Sequence, residues 1–241
     1  MSDYTLSDET RARLKRVSTA SIATQLYKRG LRSQFIQGVK SVSDKSENMV
    51  GQAFTLRYIP AREDRNPLEV FRNADHPQRV AVETCPPGHV LVMDARKDAR
   101  AATAGSILVT RLAVRGCAGV VSDGGFRDAH GIGQLDMPAY CATASAPTNL
   151  TLHEAFDINV PIACGDAPVF PGDVLVGDRD GVMVIPAHLA DEIAEVCDGM
   201  ESFEDFVLEQ VLAGAPIIGL YPCTMDENQK KYDAWRAQTG R

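Results

Sequence analysis

Six consecutive small or apolar residues, Cys117 to Ser122 (CAGVVS), narrow the architecture open to this chain. A run so short and so uniformly apolar offers water no polar face, so it is expected as a strand buried on both sides. The stretch before it, Gly105 to Gly116 (GSILVTRLAVRG), has helical period: Leu108 and Leu112 share a face and Gly116 can close the end. The stretch after it, DGGFRD, is expected as a turn in which Gly124 and Gly125 let the backbone leave the strand sharply. Helix, doubly buried strand and glycine turn in this order predict an α/β fold.

The flanks are read by the same rules. Ser7 is expected to cap a first helix, with Asp8 and Glu9 opposing the N-terminal dipole, and Ser18 or Thr19 to cap a second that ends near Gly30. Residues 31–50 are expected as loop, and Gly51 to Ile59 as a strand stopped by Pro60. The charged segment 61–78, with two prolines, gives no clear period. A strand is expected at His89 to Asp94, and further extended stretches at Pro138 to Thr143 and Val160 to Cys164. A hairpin is expected from Val174–Val176 through GDRDG to Val182–Ile185. A helix from Pro186 is expected to bury Leu189, Ile193 and Val196, with helices broken around Gly214 to Pro222 beyond it. The expected division is a single α/β domain over residues 1–197 and a helical extension over 198–241.

With 44% hydrophobic and 24% charged residues, the chain has the balance of a globular protein, not of a disordered one. Its formal charge of −7, with no basic stretch, argues against nucleic acid as a partner. No apolar run is long enough to span a membrane, and the charged N-terminus lacks a secretory core. The six cysteines are scattered without a C-x-x-C pair, as buried reduced thiols would be, and the expected location is the cytoplasm.

Chemistry concentrates at Gly105 to Asp128. Arg127 and Asp128 are expected beyond the carboxyl end of the buried strand, where open α/β sheets bind ligands. The helix start offers the backbone N–H groups of Ser106, Ile107 and Leu108, which suit a carboxylate. An amide cradle, a guanidinium and a carboxylate for a hard cation together suit a 2-oxo acid whose keto oxygen becomes an enolate. On the residues alone, an ordinary surface ion pair between Arg127 and Asp128 stays equally open.

The same stretch resembles the signature of the family that contains the regulator of ribonuclease activity A and the class II pyruvate aldolases. The latter act on 4-hydroxy-4-methyl-2-oxoglutarate and 4-carboxy-4-hydroxy-2-oxoadipate. VSTASIATQLYKRG and VFPGDVLVGDRDGVMVIP extend the resemblance over most of residues 15–195. It implies a swivelling ββα-type core, a layered α/β sandwich assembled into homotrimers or homohexamers with sites near subunit interfaces. It also implies that Asp128 holds Mg2+ (or Mn2+), that Arg127 contacts the pyruvyl oxygen, and that Gly105 to Leu108 bind the carboxylate. The activity it implies is metal-dependent carbon–carbon lysis: retro-aldol cleavage of a 4-hydroxy-2-oxo acid to pyruvate, or oxaloacetate decarboxylation.

The chain departs from the family at one position. The aldolases carry an acid twenty-one positions before the Arg, and here that position is Ser106. A serine is no base unaided, which keeps a hydratase or hydrolase of a related oxo or sugar acid in view; Asp123 or Asp166 are candidate replacements for the acid. A non-catalytic regulator of an RNA-degrading nuclease is a third reading, disfavoured because such regulators have lost the metal carboxylate. His130 is a candidate pocket residue or, more commonly for its type, an exposed one. Asp178 to Gly181 is expected as a hairpin turn, since the later acid of a calcium loop is missing. Asp173 is likewise expected as a turn residue, and Cys117 as an inert thiol within the buried strand.

Overall fold

The computed structural model of the chain describes residues 4–42 and 47–240; residues 43–46 of the expected loop lie outside these. Helices α1 (Asp8–Leu14) and α2 (Thr19–Lys28) open it. The hydroxyls of Ser7 and Ser18 accept from the backbone N–H groups three residues on, as N-caps do. Then come β1 (Lys40–Ser41), β2 (Met49–Pro60), α3 (Pro77–Thr84), β3 (His89–Asp94), β4 (Ala102–Ala104), α4 (Ser106–Val114) and β5 (Gly119–Phe126). After these follow α5 (Ala129–Gly133), β6 (Ala139–Ala144), β7 (His153–Ile158), β8 (Ile162–Cys164) and β9 (Ala167–Val169). The hairpin β10 (Val174–Gly177) and β11 (Val182–Ile185) leads to α6 (Ala190–Leu212) and α7 (Asp226–Thr239).

One large mixed sheet carries the site. Its order is β1-β6-β5-β3-β2-β10-β11, with β4 pairing β5 and β7 pairing β2. Strands β2, β3, β5 and β6 run parallel in its centre, and β1, β7, β10 and β11 pair antiparallel around them. Alternation along the strands sorts the core into two faces. Leu91, Met93 and Val120 pack with Val82, Val109, Leu112 and Ile132 of α3, α4 and α5. Val90, Val92 and Val121 pack on the other face with Ile162, Cys164 and Val169 of the small β8–β9 hairpin. A third cluster joins α1, α2 and the start of α6 to β10 and β11.

Three expectations are corrected. Strand β5 does not end at Ser122 but runs on through Asp123, Gly124, Gly125 and Phe126, all buried. The two glycines therefore make no turn; they make room. A Cβ on Gly124 would lie 2.6 Å from the Ala95 Cβ, and one on Gly125 would lie 2.6 Å from the Ser145 Cβ. Cys117 lies before this strand, not in it, close to the carbonyl of Cys85. In α6 the buried face is Ala190, Ile193, Ala194 and Cys197, whereas Val196 is exposed, because small residues let this helix lie close against its neighbours.

The tight fit at Gly125 gives a first prediction. Its methyl would also meet the backbone oxygens of Ala99 and Ala101 at 3.1 and 3.2 Å, and backbone cannot step aside cheaply. Gly125→Ala is expected to lower stability by about 1–3 kcal/mol through overpacking, read as a shifted midpoint in urea unfolding; an unchanged midpoint would show that the site yields.

The second half of α6 and α7 form a separate cluster, with Phe206, Val207 and Leu220 buried and Phe203, Tyr232 and Trp235 packed on it. Among the described residues no helix is long and apolar enough to cross a membrane. Five of the six cysteines are buried, and all are free.

Candidate functional site

Strand β5 delivers Arg127 and Asp128 to the carboxyl end of the parallel sheet, and the turn is made by Asp128 itself. Its backbone is left-handed, φ 56°, a conformation Asp tolerates better than most residues. Asp128 occupies the N-cap position of α5, yet its side chain does not cap that helix. The carboxylate instead faces the start of α4, where its Oδ2 lies 3.3 Å from both the backbone N and the Oγ of Ser106.

Gly105 is the floor of this arrangement. A Cβ there would lie 2.7 Å from Cγ of Arg127, 3.1 Å from its Cδ and 3.1 Å from Oδ2 of Asp128. The missing side chain thus lets the Arg127 stem and the Asp128 carboxylate settle over the helix start. Arg127 Nε and Asp128 Oδ2 are 3.8 Å apart, and both side chains are half exposed. Such a loose pair in water contributes little stability, so both groups remain available to a ligand.

Arg127, Asp128, Gly105, Ile107 and Leu108 all line one cavity of about 200 Å³. Ser106 is not among its walls and meets it only through Asp128. The expected cradle of three amides is partly engaged. The Ser106 amide donates to Asp128, and the Leu108 amide to the carbonyl of Gly105 at 3.1 Å. Ile107 keeps the amide nearest to a free helix-start donor.

The other walls were not foreseen. Phe71, Gln78 and Arg79 come from the charged segment and α3, Ala102 and Ala104 from β4, and Thr148 and Asn149 from the loop before β7. Gln78 pins this wall, donating to the carbonyl of Thr103 at 2.6 Å and, more weakly, to the hydroxyl of the buried Tyr58 at 3.3 Å. Pro77 at the first turn of α3 was a readable helix start, but nothing local shows that the helix faces a pocket.

The remaining candidates lie elsewhere. Asp123 is buried and its carboxylate accepts from the amides of Ala95, Lys97 and Gly165, so it organises loops; burial holds its carboxyl above the usual range. Asp166 is exposed and ion-paired to Lys97 at 2.8 Å. Neither is a wall of the cavity, and the exposed His130 on α5 is not one either. Asp178 caps the hairpin turn and accepts from Thr19, as expected of a turn residue. Asp173 accepts from Phe170 and Ala187 in its own turn.

Asp128 and the Ser106 hydroxyl are hard oxygen donors. Among the described residues there is no group of three or more His, Cys, Asp or Glu side chains placed to hold a metal. That donor set fits a magnesium-type ion, which keeps several waters and is bound through one or two carboxylates plus its substrate; it does not fit an all-protein cage.

Fold and cavity define the class first: an α/β protein with a small cavity at the carboxyl end of its central parallel strand. Residues 17–184 match the family model described as RraA-like, Aldolase/RraA, and the chain belongs to this family. A Halalkalibacterium halodurans protein named "Putative 4-hydroxy-4-methyl-2-oxoglutarate aldolase" is 42% identical over 104 residues, 42% of this chain and 47% of that protein. The chain thus spans about half the length of that relative. Among solved structures, Streptomyces coelicolor RraAS2, described as an unusual member of the RNase ES inhibitor RraA family, is similar at TM-score 0.72 and 30% identity. That likeness covers 83% of this chain and 96% of RraAS2. An uncharacterized Pseudomonas syringae protein shares the fold at TM-score 0.75 and 21% identity, covering 90% of this chain and all of the other. The family holds proteins named as aldolases beside regulators of ribonuclease.

Proposed function

We propose that this chain is a divalent-metal-dependent carbon–carbon lyase acting on 2-oxo acids. The observation that carries the reading is the convergence of Arg127, Asp128 and the start of α4 on one small cavity over Gly105. In the forward direction a 4-hydroxy-2-oxo acid loses its C3–C4 bond. The C4 hydroxyl gives its proton to a water and becomes a carbonyl, the bonding pair passes into the enolate of pyruvate, and C3 later takes a proton from water. The Ile107 amide receives the substrate carboxylate. Arg127 donates to the keto oxygen as charge gathers there, an interaction strongest in the transition state. Asp128 would hold Mg2+ or Mn2+, which supplies Lewis-acid polarisation of that oxygen when bound. Oxaloacetate decarboxylation draws on the same enolate stabilisation.

The decisive experiment is a panel of 4-hydroxy-2-oxo acids and oxaloacetate, with magnesium or manganese, coupled to pyruvate detection. Pyruvate release from at least one is expected; none from any would overturn the lyase reading. We also propose a homotrimer or homohexamer with the cavity near a subunit boundary, an assembly that membership of this family favours.

A second reading, a hydratase or hydrolase of a related acid, is favoured by the Ser106 hydroxyl beside Asp128. Ser106→Asp separates the two. The position opens a helix, so a carboxylate suits its dipole and the fold should persist. Under the lyase reading, retro-aldol turnover rises or its pH profile shifts. Loss of all activity with folding and metal binding intact would transfer the assignment to the second reading.

A further inference from the structure

The wall contributed by the charged segment and α3 holds a cation that the proposed chemistry does not use. Arg79 is half-buried at the cavity, its guanidinium carbon 4.6 Å from the centroid of the Phe71 ring. Phe71 is itself steadied by the edge of His76, with ring centroids 5.2 Å apart and His76 buried. The ring engages the flat face of the guanidinium but none of its N–H donors. Among the described residues the Arg79 guanidinium makes no hydrogen bond or ion pair; its backbone N–H donates to the His76 carbonyl at 2.8 Å. Three arginines of neighbouring segments are paired: Arg65 with Glu154 at 2.9 Å, Arg111 with Glu83 at 2.8 Å and Arg100 with Asp98 at 2.7 Å.

A planar donor fork held in place by an aromatic ring, partly desolvated and without a carboxylate, matches the recognition of a carboxylate from outside the chain. The charged side chains lining the cavity are Arg79, Arg127 and Asp128, two cations against one anion. With Asp128 committed to a divalent ion, the balance shifts further towards an anionic ligand with more than one charge. Gln78, the preceding residue, ties this turn of α3 to the carbonyl of Thr103, so the fork is presented from a fixed helix and not from a mobile loop.

We propose that Arg79, held on Phe71, is a specificity-determining residue that takes a second carboxylate, carried by the substrate away from its 2-oxo acid head; this rests on the 2-oxo acid reading of the cavity. Arg79 is then the residue through which the site reads the second carboxylate of the acids that the family resemblance implies. Arg127 and the start of α4 engage the head common to mono- and dicarboxylic 2-oxo acids, and Arg79 engages only the dicarboxylic ones.

Calorimetric titration of the full chain with magnesium present tests this with two probes, 2-oxoglutarate and 2-oxobutyrate. Native protein is expected to bind the dicarboxylate about 10- to 100-fold more tightly, the range of a charge-assisted hydrogen-bonded contact. Arg79→Gln should abolish that preference and leave 2-oxobutyrate unchanged, and Arg79→Lys should restore part of it. Unchanged 2-oxoglutarate binding in Arg79→Gln, or equal weakening of both acids, overturns the role of Arg79. In either case Arg127→Ala still loses both ligands if the site reading stands. Failure of native protein to bind either acid, or full binding by Arg127→Ala, overturns the site reading and the Arg79 proposal together.

Discussion

Asp128→Asn is expected to leave no detectable turnover of any substrate in the 2-oxo acid panel, and excess chelator is expected to do the same to the unaltered protein. Magnesium or manganese should then restore the chelated protein but not the variant. Asn is the informative replacement because the backbone at 128 is left-handed, φ 56°. Asn enters that region readily, whereas Ala would add a cost of roughly 1–2 kcal/mol and blur a chemical effect with a folding one. The amide keeps the size of the side chain and still meets Ser106, but it loses the charge that makes a hard cation stay. Asp128→Ala should be equally inactive and modestly less stable. Full turnover in excess chelator would remove the metal from the account.

Arg127→Lys carries the second large effect. The stem of Arg127 packs over Gly105 through its Cγ and Cδ, and a lysine stem retains that contact, so stability should hardly change. What disappears is the planar fork, which a point charge does not reproduce at an enolate oxygen. The expected loss is at least ~100-fold in kcat/KM, shared between kcat and KM because the same fork also holds the keto oxygen of the bound acid, in line with removal of an oxyanion donor. Arg127→Ala should lose little more than that. A lysine variant with near-normal kcat/KM would place Arg127 outside the reacting geometry.

Both predictions concern residues that the sequence singled out, and their neighbourhood was legible for a physical reason. The helix from Ser106, the strand His89–Asp94 and the hairpin around Asp178 each obey rules that act within about ten residues: period, caps and turn chemistry. The glycines at 124 and 125 show where such rules mislead. Locally, D-G-G reads as a turn; in the structure the strand continues because β4 and β6 pair with it and Ala95, Thr103 and Ser145 press against it. Val196 failed in the same way: hydrophobicity favoured it for the core, but close packing chose Ala190, Ala194 and Cys197.

The sequence by itself determined the α/β class, the helix–strand unit leading to Arg127 and Asp128, and the absence of an acid at Ser106, since all of these reside in local pattern and residue identity. Only the tertiary structure decided that Asp128 turns from α5 towards Ser106, that Gly105 is empty so that two side chains can lie over it, and that Asp123 is engaged by three amides. It alone brought Phe71, from the least patterned segment, and Arg79, from α3, to the same cavity. Those are contacts between residues tens of positions apart, and they are set by how helices and strands stack, which no local periodicity encodes.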